Sequence, residues 1–67
     1  MAKKVRELKA LLSRAGFACR RAKGSHSVWQ HPSGMGRVTV AGKDGDDAPL
    51  YLERQVLREI AKVAGRP

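Results

Sequence analysis

Apolar side chains recur at helical spacing in two stretches of the chain, one near each end, and this pattern restricts the fold more than any other feature. In the first stretch they step by three, three, one and three residues, which places them on one face of a helix: Val5, Leu8, Leu11, Leu12 and Ala15. We predict this helix from about Lys3 to Ala15, ended by Gly16 in the left-handed conformation that glycine adopts easily.

The second stretch steps by four, four and three residues, and it predicts a helix with an apolar face made of Leu52, Val56, Ile60 and Val63. Pro49 suits the first turn of this helix, and Asp46 or Asp47 is the expected N-cap. We expect Gly65 and Pro67 to end the helix.

The segments between the helices are typical of β-strands. Residues 17–21 predict a first strand, with Phe17 and Cys19 on one face and Cys19 in the core. Residues 25–31 predict a second strand, which a Pro-Ser-Gly turn closes, and residues 37–40 predict a third strand that pairs with it as a hairpin. Residues 41–48 form a polar loop.

The predicted order is helix, three strands, helix, in a chain of 67 residues that allows one small core. We therefore predict a single domain over residues 1–67 of the α+β class. Its α-β-β-β-α order would place two helices on one face of a three-stranded antiparallel sheet and leave the other face open. The longest aliphatic run, residues 10–12, is too short for a membrane span, and the single cysteine excludes an internal disulfide. We expect a cytoplasmic protein with no membrane partner.

The direction in which the second strand presents its side chains is left open by the sequence. If Trp29 fills the core, then His26, Val28 and Gln30 face solvent; the opposite parity buries Val28 and exposes Trp29. His31 follows His26 by five positions, so a regular strand sends the two imidazoles to opposite faces. We expect His31 to be a turn residue before Pro32.

Positive charge is concentrated in the first two thirds of the chain. Residues 1–43 contain ten basic residues and one acid, whereas residues 44–67 contain four basic and five acidic residues. Such an uneven field favours a polyanionic partner, such as RNA, DNA, an acidic membrane or an acidic protein. Solubility alone is the competing explanation.

The segment from Lys23 to His26 (KGSH) holds the residues best suited to chemistry. Gly24 allows a sharp bend, Ser25 offers a hydroxyl, and His26 exchanges protons near neutral pH. RNA cleavage needs a base for the ribose 2′-hydroxyl, an acid for the departing 5′-oxygen and cations around the phosphate. The residue types alone leave a hydrogen-bonded surface histidine as the alternative.

In its motifs and their order the chain resembles the HicA family of messenger-RNA interferase toxins. The resemblance extends over most of the chain and is carried by AGF at residues 15–17, KGSH at 23–26, W-x-HP at 29–32 and RVTV at 37–40. It implies a fold like that of double-stranded-RNA-binding domains. It also implies messenger RNA as substrate and a HicB-type antitoxin as the neutralising partner.

The resemblance further implies that His26 is the single catalytic residue of an endoribonuclease, with Gly24 at the tight turn beside it. We expect this activity to be metal-independent, because the sequence offers no convincing set of metal ligands. The candidates for contacting RNA and stabilising its phosphates are Lys3, Lys4, Lys9, Arg20, Arg21, Lys23, Gly24, Ser25 and Arg37. No cofactor and no metal are expected. A calcium loop starting at Asp44 would need Glu at its twelfth position, where Gln55 stands, and turn formation explains the aspartates better.

Two features differ from the family pattern. Many relatives have a second histidine directly after the first, where this chain has Ser27, and the loop at residues 41–48 is longer and more acidic. These differences leave the fold prediction unchanged and bear on the strength of the activity. The alternative function is a non-catalytic RNA-binding module of the same architecture.

Overall fold

The structure is a computed structural model and describes residues 3–64. In this part the elements follow the order α1 (Val5–Arg14), β1 (Ala18–Lys23), β2 (His26–Gln30), β3 (Arg37–Ala41) and α2 (Leu50–Ala64). The strands form one antiparallel sheet in the order β1-β2-β3. The predicted α+β class and the α-β-β-β-α order are confirmed. Gly65 and Pro67, which were expected to end the second helix, lie outside the described residues.

Both α1 and α2 pack on the same face of the sheet, which we call the covered face. Val38 and Val40 of β3 are fully buried there against apolar residues of both helices. Burying one such aliphatic side chain stabilises a fold by about 1.5–3 kcal/mol, so this layer holds the small domain together. The buried helical residues are those that the sequence spacing predicted: Val5, Leu8, Leu12, Leu52 and Val56.

The end of α1 explains why the first strand starts later than predicted. Gly16 has a φ of 95°, Phe17 N–H donates to Leu12 O at 2.9 Å, and Gly16 N–H donates to Ser13 O at 3.1 Å. This pair of bonds is a Schellman motif, in which the residue after the glycine folds back onto the helix. Phe17 is accordingly buried in the core, and β1 begins only at Ala18.

The loop before α2 caps the first helix instead of the second. The N–H groups of Val5 and Arg6, which have no acceptor within α1, donate to the carbonyl oxygens of Asp46 at 2.9 Å and Asp44 at 3.1 Å. The prediction that Asp46 or Asp47 caps the second helix is therefore wrong. The physical reason is a long-range contact with α1 that a local sequence pattern does not reveal.

Of the residues expected at the start of α2, only Pro49 lies there. The helix begins at Leu50, and the carbonyl oxygen of Pro49 accepts N–H groups from Leu52 and Glu53 at 3.0 and 3.1 Å. The proline has no N–H to satisfy at this position, which is why it suits a helix start.

The edge strand β1 extends beyond the helices. All six of its residues are exposed, because α1 and α2 pack against β3, which is the strand at the opposite edge of the sheet. Cys19 faces the same side as its cross-strand partner Trp29 but is exposed, so the prediction that it lies in the core is wrong. The helices do not reach far enough across the sheet to cover it.

Candidate functional site

His26 is positioned by a two-residue hairpin loop. Gly24 and Ser25 connect β1 to β2, and Lys23 pairs with His26 across the loop. Gly24 has a φ of 59°, and within residues 3–64 only glycines have positive φ. A positive φ at the first central residue alone is the geometry of a type II′ turn, which matches the twist of a hairpin and requires glycine at that position. The turn therefore makes His26 the first residue of the central strand.

The alternation of β2 directs His26 away from the helices. Ser27 is buried and Trp29 is half-buried against the core, and Trp29 Nε1 donates to Ser27 Oγ at 2.9 Å. Of the two parities that the sequence left open, the structure has the one with Trp29 on the covered face. His26 is exposed on the opposite face, which we call the open face. A second histidine at position 27 would point to the other side of the sheet.

Several basic residues share the open face with His26. In the strand register Lys23 lies directly opposite His26, Arg21 opposite Val28, and Arg37 opposite Gln30. Directly opposed residues of an antiparallel pair have their Cβ atoms about 4.5–5.5 Å apart. The ammonium group of Lys23 is thus within reach of any anion that binds at the imidazole.

A β-bulge in the edge strand adds one more arginine to this face. The register between β1 and β2 shifts between Cys19 and Arg21, which makes Arg20 the extra residue. Arg20 and Arg21 consequently border one cleft of about 360 Å³ together with Val28, Gln30 and Arg37, which we call the arginine cleft. One guanidinium group can donate two parallel hydrogen bonds to the oxygens of a phosphate. Three arginines around one cleft therefore suit a phosphodiester backbone.

The lysines of the N-terminal region are placed elsewhere. Lys4 Nζ is 2.6 Å from Asp47 Oδ1, and Lys9 Nζ is 2.7 Å from Asp44 Oδ1. Lys3 borders a separate cleft along α1 that also contains Glu7. These three residues lie on the helical side of the molecule, so the predicted RNA-contacting set is divided between two sides.

A second cleft lies at the hairpin loop itself. It has a volume of about 540 Å³, and we call it the turn cleft; the residues that line it are Lys9, Gly24, Ser25, Gly42, Lys43 and Asp44. Gly42 N–H donates to Ser25 O at 2.9 Å, which joins the loop after β3 to the hairpin. Lys43 was not among the predicted site residues, since only the pairing of the strands brings it to this turn.

His31 has a structural environment distant from His26. Its ring contacts Phe17 edge-on, with centroids 5.5 Å apart, and its Nδ1 accepts the N–H of Ser33 at 3.1 Å. This agrees with the expectation of a turn residue. His26 is the first residue of β2 and His31 follows its last residue. Five residues of strand span roughly 16 Å, so the two imidazoles do not form an acid–base pair.

A buried carboxylate of α2 anchors the start of β3. Glu59 is 8% exposed, its Oε1 accepts the N–H of Arg37 at 3.2 Å, and its Oε2 lies 2.9 Å from Lys62 Nζ. The hydrogen bond from Lys62 lowers the pKa of Glu59, although burial opposes this shift. Glu59 therefore fixes the backbone that carries the Arg37 side chain to the arginine cleft.

The aspartates of the acidic loop bind cationic and backbone groups of the protein. Asp44 and Asp47 pair with lysines, and Asp46 Oδ2 accepts the N–H of Lys43 at 3.1 Å. Across residues 3–64, no three His, Cys, Asp or Glu side chains come together in a group that could hold a metal ion. Neither α1 nor α2 is long and apolar enough to cross a membrane.

The fold and the open face together define a class of protein. It is a small basic α+β domain with an exposed histidine at the start of the central strand. The family model of the HicA toxin of bacterial toxin–antitoxin systems matches residues 5–63, from the first residue of α1 to the last turn of α2. The chain therefore belongs to the HicA toxin family, and the resemblance noted in the sequence is confirmed. Membership implies an antitoxin as partner. No curated protein matches the chain significantly.

Proposed function

We propose that this protein is the toxin of a type II toxin–antitoxin system, that it cleaves messenger RNA as a metal-independent endoribonuclease, and that a HicB-type antitoxin neutralises it. His26 is its catalytic residue. The observation that carries the proposal is the position of His26, exposed at the head of β2 with Lys23 directly opposite on a basic sheet face.

The chemistry needs one base and a cationic surrounding. The neutral imidazole of His26 accepts the proton of a ribose 2′-hydroxyl, and that oxygen attacks the adjacent phosphorus. The bond from phosphorus to the 5′-oxygen breaks, which leaves a 2′,3′-cyclic phosphate on one fragment. The departing 5′-oxygen takes a proton from solvent at this open face. Lys23 stabilises the additional negative charge on the phosphate in the transition state.

The arginine cleft supplies binding rather than chemistry. It lies on the same face as His26 and begins two residues further along β2, at Val28. Its three guanidinium groups hold neighbouring phosphates and so align the RNA along the sheet. For single-stranded RNA, each phosphate that a basic residue neutralises adds about 0.7 to the steepness with which log K falls against the logarithm of the salt concentration.

The proposal is tested by expression in a bacterial host. The unsubstituted protein should arrest growth and shorten cellular messenger RNA. His26→Ala should do neither, because removing a general base costs about 10²–10⁴ in rate. Thr39→Ala is the matched control, since Thr39 is exposed on the same face, opposite Val28, and carries no titratable group; it should remain toxic.

The outcomes separate the proposal from its alternative. Retained cleavage by His26→Ala would remove His26 from the mechanism. RNA binding without shortened products in the unsubstituted protein would identify a non-catalytic RNA-binding module. Co-purification with an acidic antitoxin, and loss of toxicity when the two are produced together, would support the assigned partner.

A further inference from the structure

We propose that the turn cleft is a second phosphate-binding subsite for RNA, formed by Lys9 and Lys43, and that the carboxylate of Asp44 occupies it as an internal competitor in the free protein. The inference rests on the proposed function and extends it. It assigns a role to Lys43 and Asp44, and it explains what the acidic loop does to a protein that binds polyanions.

The turn cleft has the composition of an anion site. Lys9 and Lys43 both line it beside the Gly24–Ser25 turn, around a space of about 540 Å³. A Cβ atom added to Gly24 would meet nothing within 4 Å, so the space above the turn is open. Two ammonium groups beside an open turn can hold a phosphate as point charges.

The cleft is directly connected to the catalytic position. His26 follows Ser25 in the chain, and Ser25 is bonded to Gly42, which lies next to Lys43. His26 itself borders neither cleft: the arginine cleft starts at Val28 on one side of it, and the turn cleft contains Ser25 on the other. An RNA strand lying along the open face and continuing over the turn would therefore place one of its phosphates in the turn cleft.

Asp44 already satisfies one cation of this cleft. Its Oδ1 lies 2.7 Å from Lys9 Nζ, which is the distance of a direct ion pair. The backbone of Asp44 is fixed from two sides. Its carbonyl oxygen accepts the N–H of Arg6 at 3.1 Å, and it lies inside a turn in which Asp46 N–H donates to Lys43 O at 2.9 Å.

The side chain of Asp44, in contrast to its backbone, is free to exchange. It is 63% exposed, and exposed ion pairs of this kind are weak. A phosphate with two negatively charged neighbours along the RNA can displace it from Lys9. RNA binding then has to break the ion pair between Lys9 and Asp44, and the carboxylate of Asp44 also repels the incoming phosphate. Both effects lower the affinity for RNA.

The test measures RNA binding in a protein that does not cut. A fluorescent single-stranded RNA is titrated with the full chain carrying His26→Ala, with and without Asp44→Asn, at two or more salt concentrations. Asp44→Asn should tighten binding by about threefold to tenfold and steepen the salt dependence by about 0.7, the contribution of one more phosphate. Lys9→Gln, added to Asp44→Asn, should remove this gain, and Lys43→Gln should weaken binding in either background.

Asp47→Asn is the matched control. It removes the same charge from the same loop and breaks a similar ion pair, but its partner Lys4 does not border the turn cleft. Equal tightening by Asp44→Asn and Asp47→Asn would overturn the subsite, because the effect would then be one of net charge. Survival of the gain after Lys9→Gln would overturn it as well. If His26→Ala bound no RNA and the unsubstituted protein cleaved none, the proposed function itself would fail; the other two outcomes leave that function intact.

Discussion

The two faces of the sheet differ in burial and in charge. On the covered face, residues from α1, α2 and β3 are almost completely buried, and they are apolar. On the open face the same strands present His26, Lys23 and a cleft bordered by three arginines. Because neighbouring residues of a strand point to opposite faces, one sequence of alternating residues serves both purposes. Substitutions on one face should therefore leave the property of the other face unchanged.

The net charge of the chain is larger than the positive charge that is available to bind an anion. The chain has a formal net charge of +8, but Lys4 and Lys9 are paired with aspartates of the loop on the helical side. The arginine cleft has no acidic residue among the described residues that line it. The arginine cleft is consequently the basic surface that can bind an anion without first displacing an aspartate, and it lies on the same face as His26.

The largest expected effect is a loss of stability from the covered face. Leu8→Ala removes a fully buried side chain at the centre of the core, and such substitutions cost about 2–5 kcal/mol of unfolding free energy. The control is Leu57→Ala on α2, because Leu57 is 46% exposed; it should cost less than about 1 kcal/mol. Denaturant unfolding measures both. Equal losses would break the division between covered and exposed positions.

The second effect belongs to the open face alone. Arg20→Gln with Arg21→Gln should weaken RNA binding by at least about a hundredfold at low salt, since each arginine loses a charge-assisted hydrogen bond that contributes about 1.5–3 kcal/mol. The unfolding free energy should stay within about 0.5 kcal/mol. Lys4→Gln, which removes a lysine paired with Asp47, should change RNA affinity much less. A loss as large from Lys4→Gln as from the two arginines would place the RNA on the helical side.

The third effect concerns Glu59 of α2, whose carboxylate holds the backbone of Arg37 at the start of β3. Glu59→Gln should lower the unfolding free energy by about 1–3 kcal/mol near neutral pH, because it removes a charged acceptor of Lys62 and Arg37 hydrogen bonds. The pKa of Glu59 is lowered in the folded state, so its contribution is present above the unfolded-state value and is lost as the pH falls through the folded-state value. The difference between the two proteins should shrink in acid. A difference that grows in acid would contradict the assignment.

The smallest expected effect is at Cys19. Cys19→Ser should leave the unfolding free energy and the RNA affinity unchanged within error, because the side chain is exposed on an edge strand. Thermal unfolding and RNA titration check this. A loss of stability comparable with that of Leu8→Ala would show that the helices cover β1 after all.

The sequence predicted those parts of the structure that depend on local patterns. The helix faces follow from the spacing of residues such as Leu8, Leu12 and Val56, and the place of Gly24 at a tight turn follows from its residue type. The choice between the two parities of β2 required the structure, because Val28 and Trp29 both suit a core.

Features that depend on contacts distant in sequence were not predictable in this way. The capping of α1 by Asp44 and Asp46, the exposure of Cys19 and the place of Lys43 at the turn cleft all depend on how the elements pack. The bulge at Arg20 is similar, since a regular strand would send Arg20 and Arg21 to opposite faces. Residue type and the family resemblance together thus predicted the candidate site, and the packing of the strands determined which basic residues surround it.

The most direct measurement is single-turnover cleavage of a labelled single-stranded RNA by the purified protein in EDTA, with His26→Ala beside it. The unsubstituted protein should cleave in EDTA, and His26→Ala should bind the RNA without cutting it. Cleavage by His26→Ala would contradict the catalytic role of His26, and activity that EDTA abolishes and magnesium restores would contradict a metal-independent reaction.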